Sequence, residues 1–218
     1  MVTSLDIDGG TDIGAALVDA DLMIVDDAAG GTNRKATMAR LATYMGTKIG
    51  GGYEFLASTG AIDDAGTATF TQFDASKYDS YEFKFIDIVP ATDGAILQAL
   101  TSSDTSSHSF DTGSADYFVT LNSNTKGAFG KVHVSGFGNA TNEQASLSVF
   151  VQNPHTAKYT TVSAYAGSIF LPAGYPEPLV SQGFIRAETA QVNAIRFFMS
   201  AGNITTGEIV MYGIVNGS

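Results

Sequence analysis

The chain has 218 residues, of which 44% are apolar and only 15% are charged. That apolar content is too high for an intrinsically disordered protein, and a chain of this length buries roughly 70% of its unfolded surface. With 22 acidic and 11 basic side chains the formal charge is −11, which argues against binding nucleic acid by phosphate neutralisation or binding anionic lipid. Because cysteine is absent, disulfides, thiolate zinc sites and cysteine nucleophiles are excluded.

The first 52 residues differ in texture from the rest and end in a run of three glycines. Residues 12–17 could form one helical turn with Asp12 as its N-cap. Residues 21–26 indicate a short strand, because Leu22, Ile24 and Val25 are apolar and branched residues favour pleated backbone. Residues 26–31 are rich in Asp and Gly, which is typical of a turn.

An amphipathic helix follows this turn. Met38, Leu41, Ala42 and Met45 recur at helical spacing, and we expect Thr37 to cap the helix and Gly46 to end it. One helix and about one strand cannot bury such a stripe alone. The sequence therefore predicts a small α+β anchoring module over residues 1–52 that needs a partner surface, which is the rest of the chain, a sister subunit or another protein. The interface candidates are Leu22, Ile24, Arg34, Met38, Leu41 and Met45.

Residues 53–218 alternate with period two, as half-buried antiparallel strands do. The pattern is clear in Tyr81–Phe85 and begins again at Ser146–Val151. Ten further strand candidates lie between turn signals, at 55–58, 67–71, 95–101, 117–121, 131–135, 159–162, 168–171, 184–187, 195–199 and 208–214; the turns include 63–66, 93–94, 153–154 and 201–203. About ten to twelve short strands without a helix predict a mainly β fold, an antiparallel two-sheet β-sandwich of jelly-roll type.

The usual signatures of catalysis and ligand binding are absent from the sequence. His108, His133 and His155 lack metal-ligand spacing, and we expect them in loops or at the surface. The acidic group at residues 19–27 does not match a calcium loop, and a solvated flank is the favoured interpretation, although cation binding stays open. No phosphate loop or nucleophile elbow occurs. We therefore predict no catalytic residue, no metal site and no cofactor.

The aromatic residues and one proline-rich segment complete the set of candidates. We expect the strand residues Phe83, Phe85, Phe150, Phe197 and Phe198 to lie in the core, whereas Tyr53, Tyr165 and Tyr175 fall in predicted loops where they could contact a sugar or a protein. Residues 172–178 hold three of the five prolines and predict a rigid exposed loop. Its candidate contact residues are Tyr175, Pro176, Glu177 and Pro178.

Several stretches resemble virion structural proteins of tailed bacteriophages. Residues 12–17, 21–27, 32–35 and 41–44 resemble the short N-terminal module that opens many tail-fibre and head-decoration proteins. Residues 194–204 and 207–214 are similar to the closing hairpin of β-sandwich domains in that class, and so are residues 78–83 and 89–94.

The resemblance implies a non-enzymatic capsid decoration (cement) protein, or alternatively a short tail-fibre or receptor-binding protein that recognises host glycan or protein. Its partners would be the major capsid protein, or a tail protein in the alternative, and sister copies in a homo-oligomer, by expectation a trimer. We expect it on the outer surface of the virion after synthesis in the host cytoplasm, since the sequence shows no signal peptide. Neither nucleic acid nor membrane is an expected partner.

Overall fold

The computed structural model describes residues 16–26, 33–48, 52–120, 124–172, 176–178 and 182–215. Within these segments the protein is mainly β. It forms two units, residues 1–50 and 51–218, which meet within the glycine run. No helix among the described residues is long and apolar enough to span a bilayer.

The first unit is an antiparallel hairpin followed by a helix: β1 (Leu22–Asp26), β2 (Asn33–Thr37) and α1 (Met38–Lys48). Strand β1 confirms the prediction, whereas β2 was not predicted. Thr37 caps the helix as expected, since its Oγ1 accepts the N–H of Arg40 at 3.2 Å. The predicted stop at Gly46 is wrong. Glycine costs a helix about 1 kcal/mol relative to alanine but keeps its N–H, so the helix continues through it.

Two predictions for this unit fall largely outside the described residues. They are the helical turn at 12–17, of which the structure describes only residues 16 and 17, and the turn at 26–31, of which it describes only residue 26.

The second unit is built from antiparallel strands in two sheets. In chain order these strands are β3 (Gly52–Ser58), β4 (Ile62–Ala65), β5 (Ala68–Phe70), β6 (Ser80–Pro90), β7 (Leu97–Ser102), β8 (Tyr117–Phe118), β9 (Lys126–Gly127), β10 (Gly130–Lys131), β11 (Ala145–Gln152), β12 (Thr161–Phe170), β13 (Pro176–Pro178), β14 (Gln182–Arg186), β15 (Ala194–Met199) and β16 (Ile204–Val215). The smaller sheet has the order β10-β7-β15-β5. The larger sheet has the order β3-β16-β6-β11-β12-β14-β8-β9, with β4 beside β16 and β13 beside β12.

This strand order is that of a jelly roll with additions. In an eight-stranded jelly roll the first, eighth, third and sixth strands form one sheet, and the second, seventh, fourth and fifth form the other. Counting from β5, the smaller sheet follows that order with β5, β15, β7 and β10. In the larger sheet, the seventh position is a meander of β11, β12 and β14, and β16 is added beside β6. The predicted jelly-roll-like sandwich is therefore the observed fold.

The two sheets pack through aromatic rings on their inner faces. Phe197 of β15 lies 5.1 Å from Phe83 and 4.9 Å from Phe85 of β6, measured between ring centroids. Phe70 of β5 lies 5.1 Å from Phe83. All of these contacts are edge-to-face, a geometry worth about 0.5–1.5 kcal/mol per pair beyond the area buried. The core of the sandwich is therefore centred on these rings.

Strand β6 shows how the period-two pattern sets both faces. Tyr81, Phe83 and Phe85 are buried inward, and the residues between them point outward. The alternation shifts by one residue at Asp87, which has a φ of 51°, and the pairing with β11 and β16 shifts there too. This is a β-bulge, and it returns Ile88 to the core.

Some strand and turn predictions are wrong in detail. Asp63 and Asp64 lie in β4 rather than in a turn. They are tolerated because, among the residues that the structure describes, this strand pairs with β16 along one edge and with no strand along the other. The separate strands predicted at 159–162 and 168–171 are one strand, β12, because its pairing with β11 runs on through both.

A buried arginine ties a long loop to the end of the sandwich. Arg186 is 1% exposed, and its Nε and Nη2 donate to Oδ2 of Asp111 at 3.1 and 2.8 Å. Its Nη1 donates to the carbonyl oxygen of Ala190. The hydroxyl of Tyr117 donates to the Asp111 carbonyl at 3.1 Å, and burial raises the pKa of Tyr117 to about 12. These contacts hold Asp111, and with it the loop that follows β7.

The centre of the core can be tested with two adjacent phenylalanines. Phe197→Ala removes the ring that joins the sheets and should lower the free energy of unfolding by about 3–5 kcal/mol. Phe198→Ala is the matched control, because Phe198 points outward and is only half-buried. Urea unfolding of both variants should show the larger loss for Phe197; equal losses would contradict this assignment of the core.

Candidate functional site

The N-terminal unit keeps apolar side chains exposed on the outer face of its hairpin. Leu22 and Ile24 are 58% and 57% exposed. Alternation along β1 places Met23 and Val25 on the opposite face, where they line a groove of about 390 Å³ with Leu41 of α1. The helix therefore covers one face of the hairpin, and Leu22 and Ile24 lie on the other.

The structure divides the predicted interface residues between two surfaces. Leu41 lines the groove, Met38 is half-buried, and Met45 lies exposed near the end of α1. Arg34 is an exposed residue of β2 opposite Val25. The sequence did not reveal the groove, because it forms only when α1 packs on the hairpin, and β2, which contributes Ala36 to its lining, was not predicted.

This unit is small for independent stability. A two-stranded hairpin is marginal in water, and an 11-residue helix is below the length at which isolated helices persist. Leu22 and Ile24 also expose apolar surface. Burying that surface would stabilise the unit by roughly 25 cal/mol for each Å² removed from water. That this unit docks on a partner surface stays a prediction.

The second candidate site lies on the outer face of the larger sheet. There the pairing aligns Phe55 of β3, Tyr212 of β16, Glu82 of β6 and Phe150 of β11 in one row. Tyr53 and Phe55 pack edge-to-face against Tyr212, each with ring centroids 6.2 Å away. Beyond Glu82, Phe150 lies 5.9 Å from Tyr165 of β12. We call this surface the aromatic face; its rings are Tyr53, Phe55, Tyr212, Phe150 and Tyr165.

An ion pair between a buried carboxylate and a half-exposed lysine lies in the middle of the aromatic face. Glu82 is only 2% exposed although it points outward, and it pairs with Lys84, whose Nζ also donates to Oγ of Ser148 at 2.9 Å. Burial raises the pKa of Tyr53, and the hydrogen bond to Glu82 and its charge add to the rise. Tyr53 therefore stays protonated and donates its hydroxyl to the carboxylate.

Two shallow depressions adjoin this ion pair. One of about 370 Å³ is lined by Tyr53, Glu82, Lys84 and Tyr212. The other, of about 450 Å³, lies on the far side of Lys84 and includes Ser146, Ser148 and Gly167 in its walls. Because Lys84 borders both, the two depressions are neighbours on the sheet.

The predicted positions of four aromatic residues are wrong. Tyr53 and Tyr165 lie in strands rather than loops. Phe150 and Phe198 are not core residues but half-buried residues on outer faces, because their neighbours Val149 and Phe197 point inward and successive side chains alternate.

The conformation of the proline-rich segment also differs from the one predicted. Pro176, Glu177 and Pro178 form strand β13, paired with β12, rather than a loop. β13 is a short strand that pairs with β12 and is not part of the main strand order of the sheet. Proline is tolerated in such a strand although it has no N–H to donate to a neighbouring strand. Tyr175 lies outside the described residues.

The histidines do not converge on a site, and within the described segments no three His, Asp or Glu side chains group as metal ligands would. His133, expected at the surface, is 1% exposed and packs against Phe137, with 6.0 Å between ring centroids. Its neighbour Val134 takes the outward position instead. His155 lies in its predicted turn, with Nε2 2.8 Å from the hydroxyl of Tyr81. Burial lowers the pKa of His155 below its ordinary value near 6.5.

Comparison of the chain with protein-family models, with curated proteins and with solved structures found no match.

The pKa of His155 predicts how stability depends on pH. Because folding lowers that pKa, the unfolded chain takes up a proton first, and the stability contributed by neutral His155 is lost as pH falls below about 6.5. His155→Gln should therefore show a smaller drop in urea midpoint between about pH 7.5 and 5.5 than the parent. Parallel profiles would contradict a depressed pKa.

Proposed function

We propose that this protein is a non-enzymatic structural component of a tailed-bacteriophage virion, a capsid decoration protein. Residues 1–52 dock on the shell, and residues 53–218 form a sandwich that is displayed outward. The observation that carries the proposal is the contrast between the two units. The sandwich buries its own core, whereas the N-terminal unit leaves Leu22 and Ile24 more than half exposed.

The resemblance and the charge of the sequence support the type of particle and the outward position. Both ends of the chain resemble virion proteins. A formal charge of −11 suits a protein that lies outside the shell, away from packaged DNA. The partner in this proposal is the major capsid protein. Copies of the chain would assemble as a trimer, since rotation about one axis repeats a single interface until it closes.

A short tail-fibre or receptor-binding protein is the second candidate, with a tail protein as its partner. The exposed rings of the aromatic face favour it, since a receptor-binding domain needs a surface that recognises the host. Copy number separates the two candidates. A decoration protein is present in hundreds of copies per particle, and a fibre in far fewer, so gel densitometry of purified virions distinguishes them.

Docking through the hairpin can be tested with a single exposed residue. Ile24→Asp places a charge in the proposed contact and should abolish the binding of purified protein to capsids that lack it. Because Ile24 already faces solvent, the fold should survive, and circular dichroism would check this. Leu41→Asp should also abolish binding, but by a different route: it places a charge in the groove between α1 and the hairpin and so disturbs the packing of the unit itself.

Val134→Asp provides the matched control, since Val134 is an exposed apolar residue of the sandwich. It should bind capsids as the parent does. Unchanged occupancy by the Ile24→Asp protein would overturn docking through this face of the hairpin.

A further inference from the structure

The aromatic face combines two kinds of group that seldom meet on the outside of a sheet. Phe55 and Tyr53 are 60% and 59% exposed, so the β3 end of the row offers open ring surface. Next to them, Lys84 supplies a half-exposed ammonium group, which the buried side chains of Glu82 and Ser148 hold in place. A ligand for this surface must therefore offer apolar patches and hydrogen-bonding groups a few ångströms apart.

Pyranose rings have that combination, since their C–H faces are apolar and their rims carry hydroxyls. We propose that the aromatic face binds a neutral oligosaccharide, with sugar rings packed on Phe55 and Tyr212 and sugar hydroxyls hydrogen-bonded to the exposed polar ends of Lys84 and Tyr53. The Lys84 ammonium group donates to a hydroxyl oxygen, and the Tyr53 oxygen accepts from a hydroxyl. Glu82 is buried and holds both of these groups in place. Hydrogen bonds to charged groups are stronger than those between neutral groups.

The charge pattern selects a neutral saccharide. Glu82 and Lys84 cancel each other's charge within the site. A polyanionic glycan would also approach a protein of formal charge −11, which repels it. A protein partner fits less well, because the centre of a protein interface is depleted of charged residues, whereas the centre of this face is an ion pair.

The shape of the face indicates more than one sugar unit. The two depressions share Lys84 and run across β16, β6, β11 and β12. Neighbouring strands lie about 4.8 Å apart, so β16 and β11 are separated by about 10 Å. Linked sugar rings laid across the strands would place one ring near Tyr212 and a later ring of the same chain near Ser148. This inference does not depend on where the protein sits on the particle.

The test is binding of the full-length protein to an array of immobilised neutral and anionic glycans, followed by titration with the best soluble glycan. Because the chain has no tryptophan, tyrosine fluorescence can follow the titration. Phe55→Ala should weaken binding by about tenfold, the loss expected for one ring contact. Phe129→Ala is the matched control, since Phe129 is exposed and packs on Phe198 of the smaller sheet; it should bind as the parent does.

Retention on a neutral glycan that falls with Phe55→Ala and not with Phe129→Ala supports the proposal. Three outcomes overturn it: no neutral glycan is retained, only anionic glycans are retained, or both variants bind equally. Self-association that Phe55→Ala abolishes, without glycan binding, would also overturn it and identify the face as a contact between copies. Each of these failures leaves the docking of the N-terminal unit untouched, because that is measured with Ile24→Asp on capsids.

Discussion

The packing of Phe197 between Phe83 and Phe85 is the contact on which the sandwich depends. It joins β15 of the smaller sheet to β6 of the larger one through edge-to-face rings. Because strands alternate, fixing these rings inward fixes the residues between them outward. Glu82 and Lys84 are therefore held in place on the aromatic face by the same constraint that closes the core. Core and candidate site are two sides of one strand.

The sequence predicts the fold class well because alternation is a local signal. Tyr81 to Phe85 shows it within five residues, and most strands of the sandwich lie close to their predicted positions. Prediction from the sequence fails where a large apolar residue occupies an outward position of a strand. Phe150 is large and apolar, yet Val149 and Val151 hold the inward positions on either side of it. Tyr53 follows the glycine run, and its strand is defined only by pairing with β16, which is more than 150 residues away in the chain.

The candidate sites differ in how far sequence alone could locate them. The apolar residues of the N-terminal unit are visible in the sequence as a helical stripe and a short strand, so the helix and the first strand of the hairpin could be predicted. The aromatic face brings together β3, β6, β11, β12 and β16. Its residues become neighbours only through pairing between distant strands, and no local pattern shows that a carboxylate will be buried among rings. Register, which is a long-range property, decides that site.

The open edge formed by β3 and β4 is rich in carboxylates. Asp63 and Asp64 are exposed along β4, and Glu54 of β3 is held by Lys77 at 2.6 Å. An unpaired strand edge is a template for lateral growth, and charge along it opposes the approach of a second edge. The exposed carboxylates of β4 therefore oppose strand-to-strand association between copies of the protein.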